Sequence, residues 1–455
     1  MLEIGSSTSK ALCSGISRRR AIEIGALGAF GLSLPSLLRS EARAANGSGE
    51  RINHASNRSV ILIWQHGGPS QLDTFDMKPL APAEVRGPYQ SINSSLPGLD
   101  VGELCVEQAR VMDKCSIIRS FSHGNGDHWA AAHWMLTGRL GATGSDRPAR
   151  QPSMGAVASQ LLGPRKKGTL ASVNMNDGGF GYHGGAWLGV AQNPFRYGEY
   201  SYGNEAGRLP TGDHKSFSLV DGLTGDRLMN RVSLQKQFDD LRQRFDSNRT
   251  FRHLDTVDQQ ALDIVLSGRT RDAFQLDKED VKTRERYGDG WGEQALLARR
   301  LVEAGVRFVS LNTGYWDDHG NIKGALDSKM PRHDRAVGVL IQDLADRGLL
   351  DDTLVITAGE FGRTPTMEGL GKGRNHNPLG YSVWLAGGGV KGGQAIGATD
   401  EFGYAAVERP VSISDFYASL LYSLGINQHE LAWSHHGRDE IATNLGGDVV
   451  HEVFA

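Results

Sequence analysis

The segment WDDHGN, residues 316–321, brings two carboxylates and an imidazole together in a short stretch. In an extended turn, side chains two positions apart point the same way, so Asp317 and His319 could bind one cation. Imidazole nitrogen with carboxylate oxygen suits Zn²⁺, Mn²⁺ or Fe and is poor for Ca²⁺ alone. Asp318 would then point away from the cation. The alternative is an Asx-type turn that only caps the next segment.

Two further segments carry an acid or a histidine with the character of a metal ligand. Glu360 comes directly after the apolar run TLVITAG, where a buried acid is costly unless it is paired or coordinates a cation. Arg363 could be its ion-pair partner, or its planar guanidinium could face a phosphate- or sulfate-like group. His376 lies in the loop GRNHNP, shortly before another apolar run. Glu360 and His376 are therefore candidate metal ligands, and Arg363 is a candidate catalytic residue.

A further candidate ligand follows the first apolar run, in the segment QHGGPSQLDTFD. Asp73 is favoured as the ligand, and Asp76 would then cap a helix. His66 is a weaker competitor, since it could equally be a hydrogen-bonded histidine of the core.

The segment HGNGDHWAAAHWMLTGR, residues 123–139, adds histidines at the start of a predicted helix. If the helix begins near Trp129, His128 sits at its N-terminus, where the helix dipole favours an anionic ligand. His133 lies about 140° further around the helix and cannot easily face the same metal ion. We therefore expect His128 to point into the site and His133 to be structural.

Each of these polar segments lies next to a short apolar run that is rich in β-branched residues. Such runs are typical of buried parallel strands, and helical patterns separate them. The pattern predicts an α/β protein with a mostly parallel sheet covered on both faces, whose site lies beyond the carboxyl ends of the strands. The segment 165–290 breaks the pattern and is predicted to be an insertion or cap. The predicted strands are 59–64, 115–121, 306–312, 353–359 and 382–388, and the predicted helices are 101–112, 129–137, 291–304, 327–348 and 412–424.

Composition and the N-terminus bear on partners and localisation. The 455 residues carry a formal charge of −3, which gives no indication of a nucleic-acid or anionic-membrane partner. Paired arginines at Arg18 and Arg19, an apolar stretch over 24–38 and the sequence ARA at 42–44 are typical of a twin-arginine (Tat) signal peptide. A short amphipathic helix is the alternative.

Cleavage after Ala44 would leave a linker at 45–57 and a domain at 58–455, in a protein exported to the periplasm or the cell exterior. No apolar run outside the N-terminus approaches the roughly 20 residues that span a bilayer. The mature chain keeps Cys105 and Cys115. We expect two buried thiols rather than a disulfide, because Cys115 opens an apparent core strand.

With these motifs, the chain resembles the DUF1501 family, which is placed with the alkaline phosphatase–sulfatase superfamily. The resemblance lies in WDDHGN, GEFGRTP, the His376 loop, GGPSQLDTFD and SVWLAGGGVKGGQAIGATD, and it covers nearly the whole mature chain. It implies an alkaline phosphatase-like fold, a three-layer α/β/α sandwich with metal at the carboxyl edge of the sheet. The places of the superfamily's ligands match Asp73, Asp317, His319, Glu360 and His376.

The sequence departs from that superfamily at two places. Sulfatases carry a modifiable Cys or Ser ahead of the arginine of Leu-Thr-Gly-Arg, and counting back from Arg139 puts His128 at that position. Glu360 and Phe361 replace the usual Asp-His pair, which removes one imidazole ligand. His128 is therefore expected to be a further ligand, or else a general acid or base, or a covalent nucleophile, in that order of preference.

The resulting expectation is an exported metal-dependent hydrolase of phosphate or sulfate esters, acting on a small-molecule or polysaccharide ester. Zn²⁺ is the expected cation, with Mn²⁺, Fe or Ca²⁺ as alternatives, and metal-activated water or His128 would assist hydrolysis. The missing nucleophile supports the alternative of a non-catalytic metal-binding, envelope or ligand-binding protein on the same fold. A serine hydrolase is not expected, because the mature chain contains no Gly-x-Ser-x-Gly motif.

Overall fold

An eight-stranded sheet lies at the centre of the computed structural model. All five apolar runs that were predicted to be strands belong to it. The strands are β1 (Ser59–His66), β2 (Cys115–Phe121), β3 (Ser172–Met175), β4 (Phe195–Tyr197), β5 (Phe308–Tyr315), β6 (Thr353–Ala358), β7 (Tyr381–Ala386) and β8 (Gln394–Ile396). Their spatial order is β8-β2-β7-β6-β1-β5-β3-β4, and β7 is antiparallel to both neighbours while the other pairs are parallel.

The structure describes the domain and not the leader. The predicted signal peptide at 1–44 and, apart from its last residue, the predicted linker at 45–57 lie outside the described residues. Within the described residues, no helix is long and apolar enough to cross a membrane. The described residues are 57–141, 149–176, 181–198, 209, 217, 224–230, 260–368, 372–435, 438–441, 443 and 446–454.

Helices cover both faces of the sheet, because side chains alternate between the two faces along each strand. Along β1, Ile61 and Ile63 belong to one core, together with the helices at 291–304 and 322–346, whereas Val60 and Leu62 belong to the other core, with the helices at 128–137, 154–162 and 413–423. The three-layer α/β/α architecture with a mostly parallel sheet is confirmed. The helices are α1 (Ala83–Arg86), α2 (Val106–Arg110), α3 (His128–Thr137), α4 (Met154–Leu162), α5 (Arg269–Phe274), α6 (Val281–Tyr287), α7 (Trp291–Ala304), α8 (Ile322–Asp346) and α9 (Ile413–Ser423), and residues 225–230 and 260–267 are also helical.

One antiparallel hairpin matters for the site. Its strands are Gly362–Glu368 and Gly373–Asn377, and the pairing sets His376 opposite Arg363. We call it the site hairpin. The other short pairs are Ser91–Ile92 with Val101–Gly102, Ala398–Thr399 with Ala406–Glu408, and Ala432–His435 with Arg438–Ile441.

The segment 165–290 is more than a cap, because β3 and β4 lie within it and extend the central sheet. Both strands are short, and β3 contains buried Ser172 and Asn174. These polar residues interrupt the apolar pattern, so the sequence alone does not reveal the strand.

Two helices differ from their predicted bounds. Within 101–112, only α2 is α-helical, because Val101–Gly102 pairs as a short strand. The helix predicted at 327–348 already begins at Ile322, where the side chain of Asn321 caps it.

Cys105 and Cys115 are both buried free thiols, as expected. Burial raises the pKa of each thiol well above its usual value. The Cys115 thiol donates a hydrogen bond to the Val111 carbonyl at 3.0 Å.

Stability is predicted to depend on pH through His333, a fully buried residue of α8. Burial lowers the pKa of His333 to about 3, whereas an unfolded histidine titrates near 6.5. As the pH falls below 6.5 the unfolded chain therefore takes up the proton first, and stability is lost. Between pH 6.5 and 5 we expect the wild type to lose about 1.5 kcal/mol more unfolding free energy than His333→Gln, which keeps a polar group near Thr313 but does not titrate. Urea unfolding at the two pH values measures this difference, and equal losses in both proteins would contradict it.

Candidate metal centre

Separate parts of the chain meet at the carboxyl edge of the sheet. Asp317 and His319 follow β5, and Glu360 follows β6. His128 is the first residue of α3. His376 comes from the site hairpin, which precedes the antiparallel strand β7 and so reaches the same edge from the opposite direction. Of the residues predicted to act in the site, these five and Arg363, which lies 2.6 Å from Asp317, are brought to one edge.

Asp317 is the point where the groups of the site converge. Its Oδ2 atom accepts a hydrogen bond from the Tyr315 hydroxyl at 2.8 Å and lies 3.3 Å from Nε2 of His128. Its Oδ1 atom faces three nitrogens. These are Nη2 of Arg363 at 2.6 Å, Nε2 of His319 at 2.9 Å and Nε2 of His376 at 3.1 Å.

Outer hydrogen bonds fix which ring nitrogen of two histidines faces Asp317. Nδ1 of His376 lies 2.8 Å from the Gly126 carbonyl, which can only accept, so Nδ1 carries a proton and donates it. Nδ1 of His128 donates in the same way to Oε1 of Glu360 at 2.7 Å. The Nε2 atoms of both rings therefore face Asp317, and ligand atoms of His128, Asp317 and His376 lie within 4.8 Å of one another. Imidazoles oriented by outer hydrogen bonds in this way are typical of metal ligands.

His319 lies beside this group and is more exposed. Its Nε2 atom is 3.1 Å from Nε2 of His376. As the motif predicts, Asp317 and His319 point to the same place, whereas the carboxylate of Asp318 turns away and pairs with Lys329.

Electrostatic interactions set the charge of the two central groups. Burial alone would lower the pKa of His128, but hydrogen bonds to Asp317 and Glu360 outweigh it and raise the pKa to about 9. Burial alone would raise the pKa of Asp317, but hydrogen bonds from the two histidines and the charge of Arg363 hold it well below its usual range. The negative potential at this point therefore attracts a positive charge, either a proton on His128 or a metal cation.

Glu360 is a fully buried acid. Its Oε1 atom accepts a hydrogen bond from the Gly67 backbone nitrogen at 2.7 Å as well as the one from His128. Among the residues that the structure describes, its Oε2 atom has no hydrogen-bond partner. A buried polar atom without a partner is unfavourable by about 1–3 kcal/mol, and more when it is charged. A donor set of imidazoles and carboxylates with one buried oxygen unsatisfied fits a divalent cation.

The guanidinium of Arg363 is bonded within the protein, and its predicted catalytic role stays a prediction. The side chain is 1% exposed, and its ion-pair partner is Asp317 rather than Glu360. A buried guanidinium needs acceptors for its N–H groups, and the protein supplies them. The acceptors are the carbonyls of Gly67, Gly68 and Arg374 and Oδ1 of Asp317, and Nη1 also lies 3.5 Å from Nε2 of His319.

Asp73 lies outside the converging group, which also differs from the predicted ligand set. Its Oδ2 atom accepts hydrogen bonds from Arg374 Nε at 2.8 Å and from the Ser70 hydroxyl at 2.5 Å. Both side chains of the Asp73–Arg374 pair are fully buried. Because its charge is neutralised there, Asp73 anchors the site hairpin instead of facing a cation. The weaker candidate, His66, is also buried, and its ring packs against that of Tyr315 at 5.5 Å.

Some residues of the site were not predicted. Tyr315 precedes Asp317 by two positions, so the same extended geometry that pairs Asp317 with His319 could have revealed it. Arg374 and Lys329 have no such local signal, since their partners are distant in the sequence or on another element. His133 is buried and structural as predicted, with Nδ1 2.9 Å from the Arg139 carbonyl.

The chain belongs to the DUF1501 family, whose description is a protein of unknown function and whose model matches residues 57–454. The membership inferred from the motifs is thereby confirmed, and it assigns no activity. A comparison with curated proteins gives no match.

Several solved structures share a similar fold at low identity. The PsFucS1 sulfatase from Pseudoalteromonas sp. is 15% identical, with 91% of this chain and 77% of that chain covered and a TM-score of 0.37. The phosphonate monoester hydrolase SpPMH from Silicibacter pomeroyi is 10% identical, with coverage of 87% and 76% and a TM-score of 0.36. The alkaline phosphatase of the Antarctic bacterium TAB5 is 12% identical, with coverage of 82% and 99% and a TM-score of 0.34. Similarities this weak do not show an activity, so the activity of this chain must be inferred from its own site.

The substitution Asp73→Asn tests the separation of Asp73 from the metal centre. We expect a loss of about 3 kcal/mol in unfolding free energy, because the buried Arg374 charge loses its partner. We expect metal content equal to that of the wild type, because Asp73 is not among the converging groups. Urea unfolding and metal analysis measure the two quantities. A stable variant that had lost its metal would restore Asp73 as a ligand.

Proposed function

We propose that this protein is an exported, metal-dependent hydrolase of phosphate or sulfate esters. The observation that carries the proposal is the convergence of three side chains around one point, with a second acid and a third histidine beside them. Zn²⁺ suits this mixture of imidazole and carboxylate best, and Mn²⁺ or Fe would also suit it. The residues that would hold the cation are His128, Asp317 and His376, with Glu360 and His319 next to them.

The charge of the site supports an anionic substrate once the cation is bound. Asp317 and Glu360 carry two negative charges, and Arg363 supplies one positive charge. The neighbouring acids Asp73 and Asp318 are already neutralised by basic partners of their own. When Nε2 of His128 has lost its proton and is free to bind, a divalent cation would change the net charge of these groups from negative to positive, which favours a phosphate or sulfate group.

The protein's own residues orient the components of this site. A bound cation would polarise the phosphorus–oxygen or sulfur–oxygen bonds of the ester. Glu360 holds the Nδ1 proton of His128 and so keeps Nε2 directed into the site. The N-terminus of α3, which Asp127 caps by accepting a hydrogen bond from the Ala130 nitrogen at 2.9 Å, adds partial positive charge beside His128.

Metal content is the first test of this function. Protein purified without chelator or affinity histidines is expected to hold near-stoichiometric Zn²⁺, Mn²⁺ or Fe by plasma mass spectrometry. Asp317→Asn and His376→Ala should each weaken binding by about 10-fold or more, because each removes a converging ligand atom. His128→Gln should do the same if His128 is a ligand, and should retain the metal if His128 is a general acid or base.

His451→Ala is the matched control, because His451 is exposed and lies outside the converging group. It is expected to keep the metal content of the wild type. A folded wild-type protein without metal would contradict the proposed function.

A second function is favoured by two observations. The resemblance places His128 where sulfatases carry their Cys or Ser nucleophile, and the guanidinium of Arg363 is bonded inside the protein. Both features suit a metal-binding or ligand-binding envelope protein without catalysis. Metal-loaded protein that hydrolyses neither p-nitrophenyl phosphate nor p-nitrophenyl sulfate would favour this second function over the first.

We also propose export through the Tat pathway to the periplasm or the cell exterior. The support is the sequence alone, namely the paired arginines Arg18 and Arg19, the apolar stretch 24–38 and the small residues at 42–44. A small-molecule or polysaccharide ester met outside the cytoplasm would then be the substrate. N-terminal sequencing of the exported protein is expected to begin at Ala45.

A further inference from the structure

Lys329 is a buried lysine that the proposed chemistry does not use. It lies on α8, and its Nζ atom donates to both carboxylate oxygens of Asp318, at 2.7 and 2.8 Å. Nζ also donates to the carbonyl of Tyr315 at 2.6 Å. All three N–H groups of the ammonium therefore have acceptors at the carboxyl end of β5 and in the turn that follows it.

That turn, residues 316–321, carries the central carboxylate of the site. Asp317 and His319 stand on either side of Asp318, so an anchor on Asp318 restrains the backbone from which both side chains project. The Asp318 carbonyl also accepts a hydrogen bond from the Arg374 backbone nitrogen at 3.1 Å. The turn is thereby joined to α8 on one side and to the site hairpin on the other.

The surroundings of Lys329 make this anchor rigid. The Trp316 indole is buried beside it, with the ring centroid 5.4 Å from Nζ, and its Nε1 atom donates to the Thr313 carbonyl at 2.8 Å. In such a water-poor position an ammonium and a carboxylate attract each other more strongly than at the surface, and neither is stable alone. Lys329 and Asp318 therefore each depend on the charge of the other for their stability.

We infer that Lys329 is a positioning residue of the metal centre, which sets the directions of Asp317 and His319 by holding Asp318 and the Tyr315 carbonyl. It touches neither the cation nor the ester. The predicted effect of Lys329 on metal binding rests on the proposed function. Its predicted effect on the backbone rests on the geometry of the turn alone.

The experiment compares the wild type with Lys329→Met and with the double variant Lys329→Met/Asp318→Asn. The single variant leaves a buried carboxylate unpaired and could fail to fold, whereas the double variant removes both charges with little change in shape. We expect the double variant to bind Zn²⁺ about 10-fold or more weakly in competition with a chromophoric chelator. In the metal-free protein we expect faster hydrogen–deuterium exchange in peptides covering 315–321, with exchange in β6 unchanged.

The matched control is Arg347→Met, which breaks a buried-acid ion pair at the other end of α8. Arg347 pairs with Asp343 at 2.9 Å and does not reach the turn. This control should keep both the Zn²⁺ affinity and the exchange of 315–321, even if it lowers stability.

A failure of the positioning role of Lys329 and a failure of the proposed function give different results. Unchanged exchange at 315–321, or unchanged Zn²⁺ affinity, in a folded double variant would overturn the positioning role of Lys329. A wild-type protein that binds no Zn²⁺ and contains no other metal would instead contradict the proposed function. An equal loss of affinity in Arg347→Met would also overturn the role, because it would show that general destabilisation suffices.

Discussion

The carboxylate of Asp317 is the group on which the rest of the site depends. Its two oxygens face a guanidinium, a phenol and three imidazoles, so the orientation of each partner is defined relative to this one side chain. These hydrogen-bond donors lower the pKa of Asp317 and keep the carboxylate charged at any ordinary pH. A charged acid at the edge of a sheet, beside two imidazole rings whose Nδ1 atoms are already bonded, is an arrangement that suits a cation.

The pairing of the other acids explains where that cation belongs. Asp73 has Arg374 in a fully buried pair, and the half-buried Asp318 has Lys329. Glu360, in contrast, has only a backbone N–H and a histidine, and its second oxygen has no partner among the described residues. Buried acids that carry their own basic partners hold the loops in place. The acid without one marks the place where a positive charge can still be added.

The sequence predicted the sheet well, because buried strands are continuous apolar runs and the polar residues beside them must lie at one edge. It therefore identified Asp317, His319, Glu360 and His376 correctly as neighbours. It did not predict that Asp73 pairs with a guanidinium, because that partner, Arg374, is 301 positions away. The bonding of the buried Arg363 guanidinium to loop carbonyls also follows from the folded loops and not from local spacing.

His128 decides what chemistry is open to this site. With Nδ1 held by Glu360, only Nε2 faces the interior, and one nitrogen cannot coordinate a cation and deliver a proton at the same time. If Nε2 coordinates, His128 is a ligand and is not free to act as a nucleophile. Any hydrolysis must then use water directly, without a covalent intermediate on that residue. If the proposed hydrolase function holds, a coordinating imidazole at this position would therefore set the route of the reaction without a change in the fold.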